Sequence, residues 1–358
     1  MNNNYCIIMG GGIGSRFWPI STTNRPKQFL DFFGTGSSLL QMTFNRFSKI
    51  IPSENIFIVT NENYAGLVHE QLPSLKPEQL LLEPQRRNTA PCIAWASYHI
   101  RQLNPNATIV VSPSDHLILN EEEFLQTINR GLEFAKGNNV LLTLGIKPNR
   151  PETEYGYIQM DEEEREGFRK VKTFTEKPNL ELAKVFLESG EFLWNSGIFL
   201  WSADTIIEAM KLHQPEITAR FEPGIGIYAT ADEKEFIAQN FPACPNISID
   251  FGVMEKASNV FMLEANFGWS DLGTWGALYE LSDRDENNNV SLKCQTMAYE
   301  SSNNIVSLPQ ENLVVIQGLE DYIVAQDNNV LLICKKDDEQ KIRQYVTDAK
   351  LKYGDRFI

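Results

Sequence analysis

The sequence is short of positive charge. Its 358 residues hold 32 lysines and arginines against 47 aspartates and glutamates, a net charge of −15. A field of that sign repels nucleic acid backbones and anionic lipid, which excludes both as main partners. Cysteine is scarce too. The five present (Cys6, Cys92, Cys244, Cys294, Cys334) are odd in number, widely spaced and without a C-x-x-C pair, which argues against a disulfide frame or zinc site and for reduced thiols. No run approaches the roughly 18 apolar residues of a membrane span. The start lacks basic residues, and the apolar run Tyr5 to Met9 is too short for the core of a secretion signal. A soluble cytoplasmic protein is expected, long enough for one large domain and a smaller one.

Against this background one segment stands out, Tyr5 to Leu30: YCIIMGGGIGSRFWPISTTNRPKQFL. Tyr5 to Met9 has the composition of a buried parallel strand, and Gly10, Gly11, Gly12 and Gly14 follow it. Glycines there let backbone N–H groups come close to an anion, and Arg16 and Lys27 add fixed positive charge. An acidic chain needs such a local site to hold a triphosphate, with Arg25, Arg86, Arg87 and Lys177 as further candidates. The plainer alternative is a glycine-rich turn with surface bases. A dinucleotide-dependent oxidoreductase is disfavoured, because the third small residue of G-x-G-x-x-G is missing and Arg16 would crowd the pyrophosphate turn.

Beyond it, strand-like runs alternate with helical spacing. Asn55 to Thr60, Leu80 to Glu83, Thr108 to Val111 and Val140 to Ile146 read as strands; Leu39 to Ile51, Asn61 to Leu72, Ala90 to Leu103 and Asn120 to Lys136 read as helices. The alternation implies βαβ units, hence an α/β fold with a parallel sheet whose ligands lie beyond the carboxyl ends of the strands. In LEPQRRNTAP, Asn88 or Thr89 can cap the next helix, and Glu83 can accept from a base edge. Asp115, directly after a central strand, is a hard oxygen ligand suited to Mg²⁺ on a nucleotide phosphate; His116 beside it reads as a hydrogen-bonding residue. The charge run DEEEREGFRK reads as a solvated hairpin tip. In EFLWNSGIFLWSAD, polar Asn195 and Ser196 sit among apolar residues and need partners, either a sugar's hydroxyls or those of a turn between two core strands. Asp271, in NFGWSDLGTW, is either a second carboxylate for the metal or the cap of a helix. After a polar linker at Ser282 to Asn289, short β-like pieces suggest a small β domain. One or two β-helix coils are a candidate form for it, though no hexapeptide repeat is visible; a helix over Asp338 to Lys352 closes it.

In order, GGGIGSRFWP, RPKQFL, EPQRRNTAP, PSDH, RPETEYGYI, FTEKP, FLWNSGIFLW, SIDFGVMEK and FGWSDLGTW resemble the mannose-1-phosphate guanylyltransferases, or GDP-mannose pyrophosphorylases, over Tyr5 to Trp275. The resemblance implies a nucleotide-diphospho-sugar transferase fold, Rossmann-like with a mixed, mainly parallel sheet over residues 1–281 and a small β domain over 282–358. It is to short members without the cupin-type isomerase domain, so no phosphomannose isomerase activity is expected. It further implies a transfer of GMP from GTP to mannose 1-phosphate with Mg²⁺, in a homodimer. By position, Gly10, Gly11, Gly12, Gly14 and Arg16 would hold the GTP phosphates, and Lys27 would neutralise charge at the α-phosphate. Glu83 and Asn88 would lie near guanine, Gly156, Glu176, Lys177 and Asn195 near the sugar phosphate, and Asp115 and Asp271 would bind the metal. Thr22 departs from the family, which commonly has a basic residue there; Arg25 is the candidate substitute. The rivals are a nucleotidyltransferase for another sugar 1-phosphate and a non-catalytic nucleotide sensor.

Overall fold

The computed structural model describes residues 3–12, 14–310 and 312–358; Ile13, inside the glycine loop, lies outside them. The chain forms two units, neither of them a single consecutive stretch. The first takes in residues up to Gly11, then Thr43–Ser114 and Ile118–Trp269. The second takes in Gly12–Met42, Asp115–Leu117 and Ser270–Ile358.

In the first unit, strands β1 (Asn4–Met9), β2 (Ile56–Asn61), β3 (Leu80–Glu83), β4 (Thr108–Pro113), β5 (Leu141–Ile146), β6 (Gly156–Arg165), β7 (Phe168–Glu176), β8 (Phe192–Ser202) and β9 (Val260–Ala265) make one sheet. Their order is β3-β2-β1-β4-β8-β5-β9-β7-β6. The first four run parallel, whereas β8 is antiparallel to β4 and β5 on either side of it. Strand β2 is buried along its whole length, as apolar runs in parallel sheets are when both faces are covered. The core sets Ile7, Val111 and Trp201 against Ile93, Ala96 and Ile100 of the helix Thr89–Leu103 and Ile206 and Met210 of the helix Ala203–His213. The charge run DEEEREGFRK becomes the β6–β7 hairpin, turning at Glu166 and Gly167 with φ of 56° and 82°, the backbone that two-residue hairpin turns require.

The second unit holds β10 (Val290–Leu292), β11 (Gln295–Tyr299), β12 (Ile305–Ser307), β13 (Leu313–Gln317), β14 (Tyr322–Asp327) and β15 (Val330–Lys335). Strands β10, β12 and β14 stack in parallel, and β11 with β13 forms a second parallel pair. Successive strands thus alternate between two faces, which is the winding of a β-helix. Buried asparagines tie its corner: Asn304 Nδ2 donates to Asn289 Oδ1 at 2.9 Å and to the Leu319 carbonyl at 2.8 Å, and Asn304 Oδ1 accepts from Tyr322 N at 2.9 Å. Val290, Ile305 and Ile323 share one core with Phe17, Trp18, Phe32, Leu272 and Trp275. The closing helix starts later than expected. Lys336–Lys341 winds as a 3-10 turn and the α-helix is Ile342–Tyr353, without a side-chain cap at Lys341; tighter turns commonly lead into helices in this way.

Candidate functional site

Lys27 opens a short turn, Lys27–Phe29, after Pro26. Its buried ammonium lies 2.9 Å from Asp115 Oδ2 and also donates to the Asp271 carbonyl. Arg16 reaches the same loop, Nη1 donating to the Gly273 carbonyl at 3.4 Å. The second unit therefore brings Arg16, Lys27, Asp115 and Asp271 together. Asp271 Oδ1 accepts from Gly273 N at 2.8 Å. It does not cap the following helix: Thr274 does, accepting from Ala277 N at 3.1 Å, because the helix Trp275–Glu280 begins just beyond that hydroxyl. Burial would raise the Asp115 carboxyl, but Lys27 and then His116 more than offset it and hold it below its ordinary value. His116 Nε2 is 4.0 Å from Asp115 Oδ1, beyond hydrogen-bond range. Gly14 takes φ +65°, and a Cβ there would run into the Lys27 side chain; only glycine lets the lysine pass. Thr22 uses its hydroxyl locally, accepting from Arg25 N at 3.2 Å, while the Arg25 charge is felt at Asp327 and Lys293. Among the described residues, no group of three or more His, Cys, Asp or Glu is placed to hold a metal ion; Asp115 and Asp271 are linked through Lys27, which meets the side chain of the first and the backbone carbonyl of the second.

Of the four glycines, Gly10 has its N–H committed to the sheet, donating to the Val59 carbonyl at 2.8 Å. The N–H groups of Gly11, Gly12 and Gly14 have no acceptor among the described residues. In the first unit, Glu83 ends β3 almost fully buried, and its Oε1 has no partner among the described residues. Burial pushes this carboxyl up to about 7, against the lowering effects of Arg86 and Cys92. Of the two cap candidates, Asn88 is the one used: with φ 64° its Oδ1 accepts from Thr89 N at 2.9 Å and starts the helix Thr89–Leu103. Arg86 donates to the Tyr64 hydroxyl at 2.6 Å, and Arg87 to the Pro242 carbonyl.

Elsewhere in the first unit, β8 runs unbroken through Phe192–Ser202. The turn expected at Asn195 to Gly197 is instead a bulge, where the register against β5 shifts between Thr143 and Gly145 and Gly197 takes φ 71°. Pairing of the flanking residues, Asn195 with β5 and Phe199 with both β4 and β5, keeps residues with poor strand propensity in the sheet. Asn195 Oδ1 accepts from Thr143 Oγ1 at 2.9 Å and Gly197 N at 3.2 Å, and its Nδ2 donates to Asp250 Oδ1 at 2.9 Å. Gly156 at the start of β6 faces Glu176 at the end of β7. A Cβ on Gly156 would stand 2.5 Å from Glu176 Oε2 and 3.4 Å from the Asn195 Cβ, so glycine makes room for both. Lys177, at φ 47°, places Nζ 3.3 Å from Glu176 Oε1. Gly156, Glu176, Lys177 and Asn195 are thus brought together.

Residues 5–288 match the nucleotidyl transferase family, and residues 295–348 match the MannoseP isomerase/GMP-like beta-helix domain. A mannose-1-phosphate guanylyltransferase of Salmonella montevideo is 38% identical over 356 residues, covering 96% of this chain and 74% of that protein. The chain belongs to the mannose-1-phosphate guanylyltransferase family. An Escherichia coli guanylyltransferase of that name is 34% identical over 354 residues, with 96% of this chain and 75% of that one covered. The solved structure of a Thermus thermophilus protein, described as a mannose-1-phosphate geranyltransferase, matches with a TM-score of 0.88 at 28% identity over 98% of this chain and 100% of that chain. The chain is accordingly an enzyme with the nucleotidyltransferase fold, an α/β unit with a mixed sheet and a β-helix-like C-terminal part, as the resemblance implied. Among the described residues no helix is long and apolar enough to cross a membrane.

One residue beside the Asn195 cluster is absent from the sequence-based expectations. Asp250 lies in the quoted stretch SIDFGVMEK, yet received no role. The signal was available: it is an acidic residue between Ile249 and Phe251, and such a residue is rarely buried without a partner.

Proposed function

We propose that the protein transfers GMP from GTP to α-D-mannose 1-phosphate, forming GDP-mannose and pyrophosphate. The observation that carries this reading is the 38% identity, over nearly the whole chain, to a relative named for that activity. An oxygen of the sugar phosphate attacks the α-phosphorus of GTP in line. The new P–O bond forms as the bond to the bridging oxygen breaks, and that electron pair leaves with pyrophosphate. A phosphate monoester with a second pKa of about 6 is largely dianionic at neutral pH, so the chain needs no general base. Its task is positioning and charge neutralisation.

The residues present suit that task. Lys27 and Arg16 offer cations for the charge passing to pyrophosphate, and the N–H groups of Gly11, Gly12 and Gly14, without acceptors among the described residues, can turn to phosphate oxygens. The buried oxygen of Glu83, without a partner among the described residues, suits the N–H edge of guanine. The donor set at Asp115 and Asp271 fits Mg²⁺, which takes one or two carboxylates and fills its shell with phosphate and water oxygens; the ammonium drawn to Asp115 marks the place as one that attracts cations. Bound there, the ion would neutralise phosphate oxygens. The test is to incubate the protein with Mg²⁺, each of the common nucleoside triphosphates and a panel of hexose 1-phosphates, measuring pyrophosphate and the sugar nucleotide together. GDP-mannose as the fastest product supports the reading. A faster product from another pair, or nucleotide binding without pyrophosphate release, overturns it.

A further inference from the structure

The segment around Asp250 touches both parts of the first unit's candidate site. Ahead of it, the Ile247 carbonyl accepts from Ala90 N at 3.1 Å, and Ile249 N donates to Thr89 Oγ1 at 2.8 Å. It is therefore pinned to the first turn of the helix that Asn88 caps. Asp250 then opens a five-residue π turn, Asp250–Met254, a conformation that is rare and concentrates at functional positions. Gln214 Nε2 secures the turn by donating to the Gly252 carbonyl at 2.8 Å. Ile249, Val253 and Met254 point into the core, and Asp250 meets Asn195.

Two donors on Asn195 Oδ1 decide the orientation of that amide, so Nδ2 faces Asp250. Holding the amide takes only one carboxyl oxygen, yet Asp250 brings two, and the turn it opens packs against β7, the strand that ends at Glu176. Burial first, and then the charge of Glu176, push the Asp250 carboxyl up to about 7, with the Asn195 bond and Lys177 opposing. Two acidic groups in electrostatic contact do nothing for the fold that a hydrophobic pair would not do better. They are well suited to polyhydroxylated ligands, because each carboxylate can accept from two hydroxyls and a protonated partner can donate.

We propose that Asp250 is a specificity-determining residue: one carboxyl oxygen holds the Asn195 amide, and the other, together with Glu176, receives hydroxyl groups of the hexose ring. The proposal rests on the reading that the acceptor is a hexose 1-phosphate, and deepens it.

Kinetics of Asp250→Asn and Asp250→Ala test it, each against mannose, glucose and galactose 1-phosphates with GTP held saturating, then against GTP. Asp250→Asn keeps an oxygen for Asn195 and exchanges the other for an NH₂ group, so its melting temperature should be no lower than that of the wild type. Its KM for the preferred hexose phosphate is expected to rise about tenfold, the loss of one good hydrogen bond, while the KM for GTP stays within about twofold. Asp250→Ala should rise at least as far and lose preference among the hexoses. A purely structural role predicts otherwise: Asp250→Asn would keep the wild-type KM for sugar, or both KM values would rise together, and either result overturns the proposal. The wild-type panel separately decides the hexose. Preference for glucose 1-phosphate would defeat the mannose reading, and the ratio of variant to wild type on that substrate would still judge Asp250.

Discussion

Nζ of Lys27 lies 2.9 Å from Oδ2 of Asp115, and the lysine side chain is only 6% exposed. A buried ammonium whose only paired carboxylate is one that a metal ion would engage is placed to turn its charge on a phosphate. Replacing Lys27 with Met removes that charge, and kcat is expected to fall about 10²- to 10³-fold. Pyrophosphate release at saturating substrates measures it, and a loss smaller than about threefold would remove Lys27 from the chemistry.

Asp115→Asn is expected to lower turnover by a similar factor, with no recovery in excess Mg²⁺. It has a second signature. Because the folded carboxyl lies below its unfolded value of about 3.9, its stabilising effect is present above that pH and lost as pH falls through the folded value. The thermal advantage of wild type over the variant should shrink below about pH 4, as calorimetry across pH would reveal.

Glu83 behaves in the opposite sense. Its carboxyl is raised from 4.5 to about 7, so folding is disfavoured progressively as pH rises across that interval, and the penalty is complete above it. Glu83→Gln should be more stable than wild type at pH 8, by on the order of 3 kcal/mol, and nearly equal at pH 4. The same change should weaken the preference for GTP over ATP, since an amide no longer accepts through both atoms. Equal melting temperatures at the two pH values would contradict the burial argument.

Two glycine substitutions separate the two sets of residues. Gly14→Ala forces a side chain onto φ +65° and against Lys27, at a cost of about 1–3 kcal/mol, and should depress kcat. Gly156→Ala displaces Glu176 and should raise the KM for the sugar phosphate with little change in that for GTP. Identical kinetic effects from both would deny that the two glycines serve different substrates.

Legibility in the sequence followed the range of the interaction. The helix cap at Asn88 and the hairpin tip at Glu166 and Gly167 are local, and nearby residues announce them. The bulge at Asn195 reads as a turn because Asn, Ser and Gly are poor strand formers, and only the pairing of Asn195 with β5 and of Phe199 with β4 and β5 overrides that preference. The coils were faint because Val290, Ile305 and Ile323 stack at spacings of 15 and then 18 residues, too irregular for a repeat. The contact of Arg16 with Gly273 spans 257 positions, a distance over which periodicity carries no information.

Asn304 is wholly buried, and its removal would leave the Tyr322 N–H and the Leu319 carbonyl without their partner. Asn304→Ala should cost about 3 kcal/mol, seen as a lower denaturation midpoint. An unchanged midpoint would mean that the apolar stack alone supports the coils.

Phe17 and Trp18 share their core with Val290, Ile305 and Ile323. The stretch that carries Arg16 and Lys27 therefore has the terminal coils for its foundation, although more than 250 positions separate them along the chain. Cutting the polypeptide at the polar linker would strip that foundation away and leave aromatic rings bare to water. What looks from the sequence like an appendage shares a single apolar core with the N-terminal loop, and the two must be inherited, folded and lost as one.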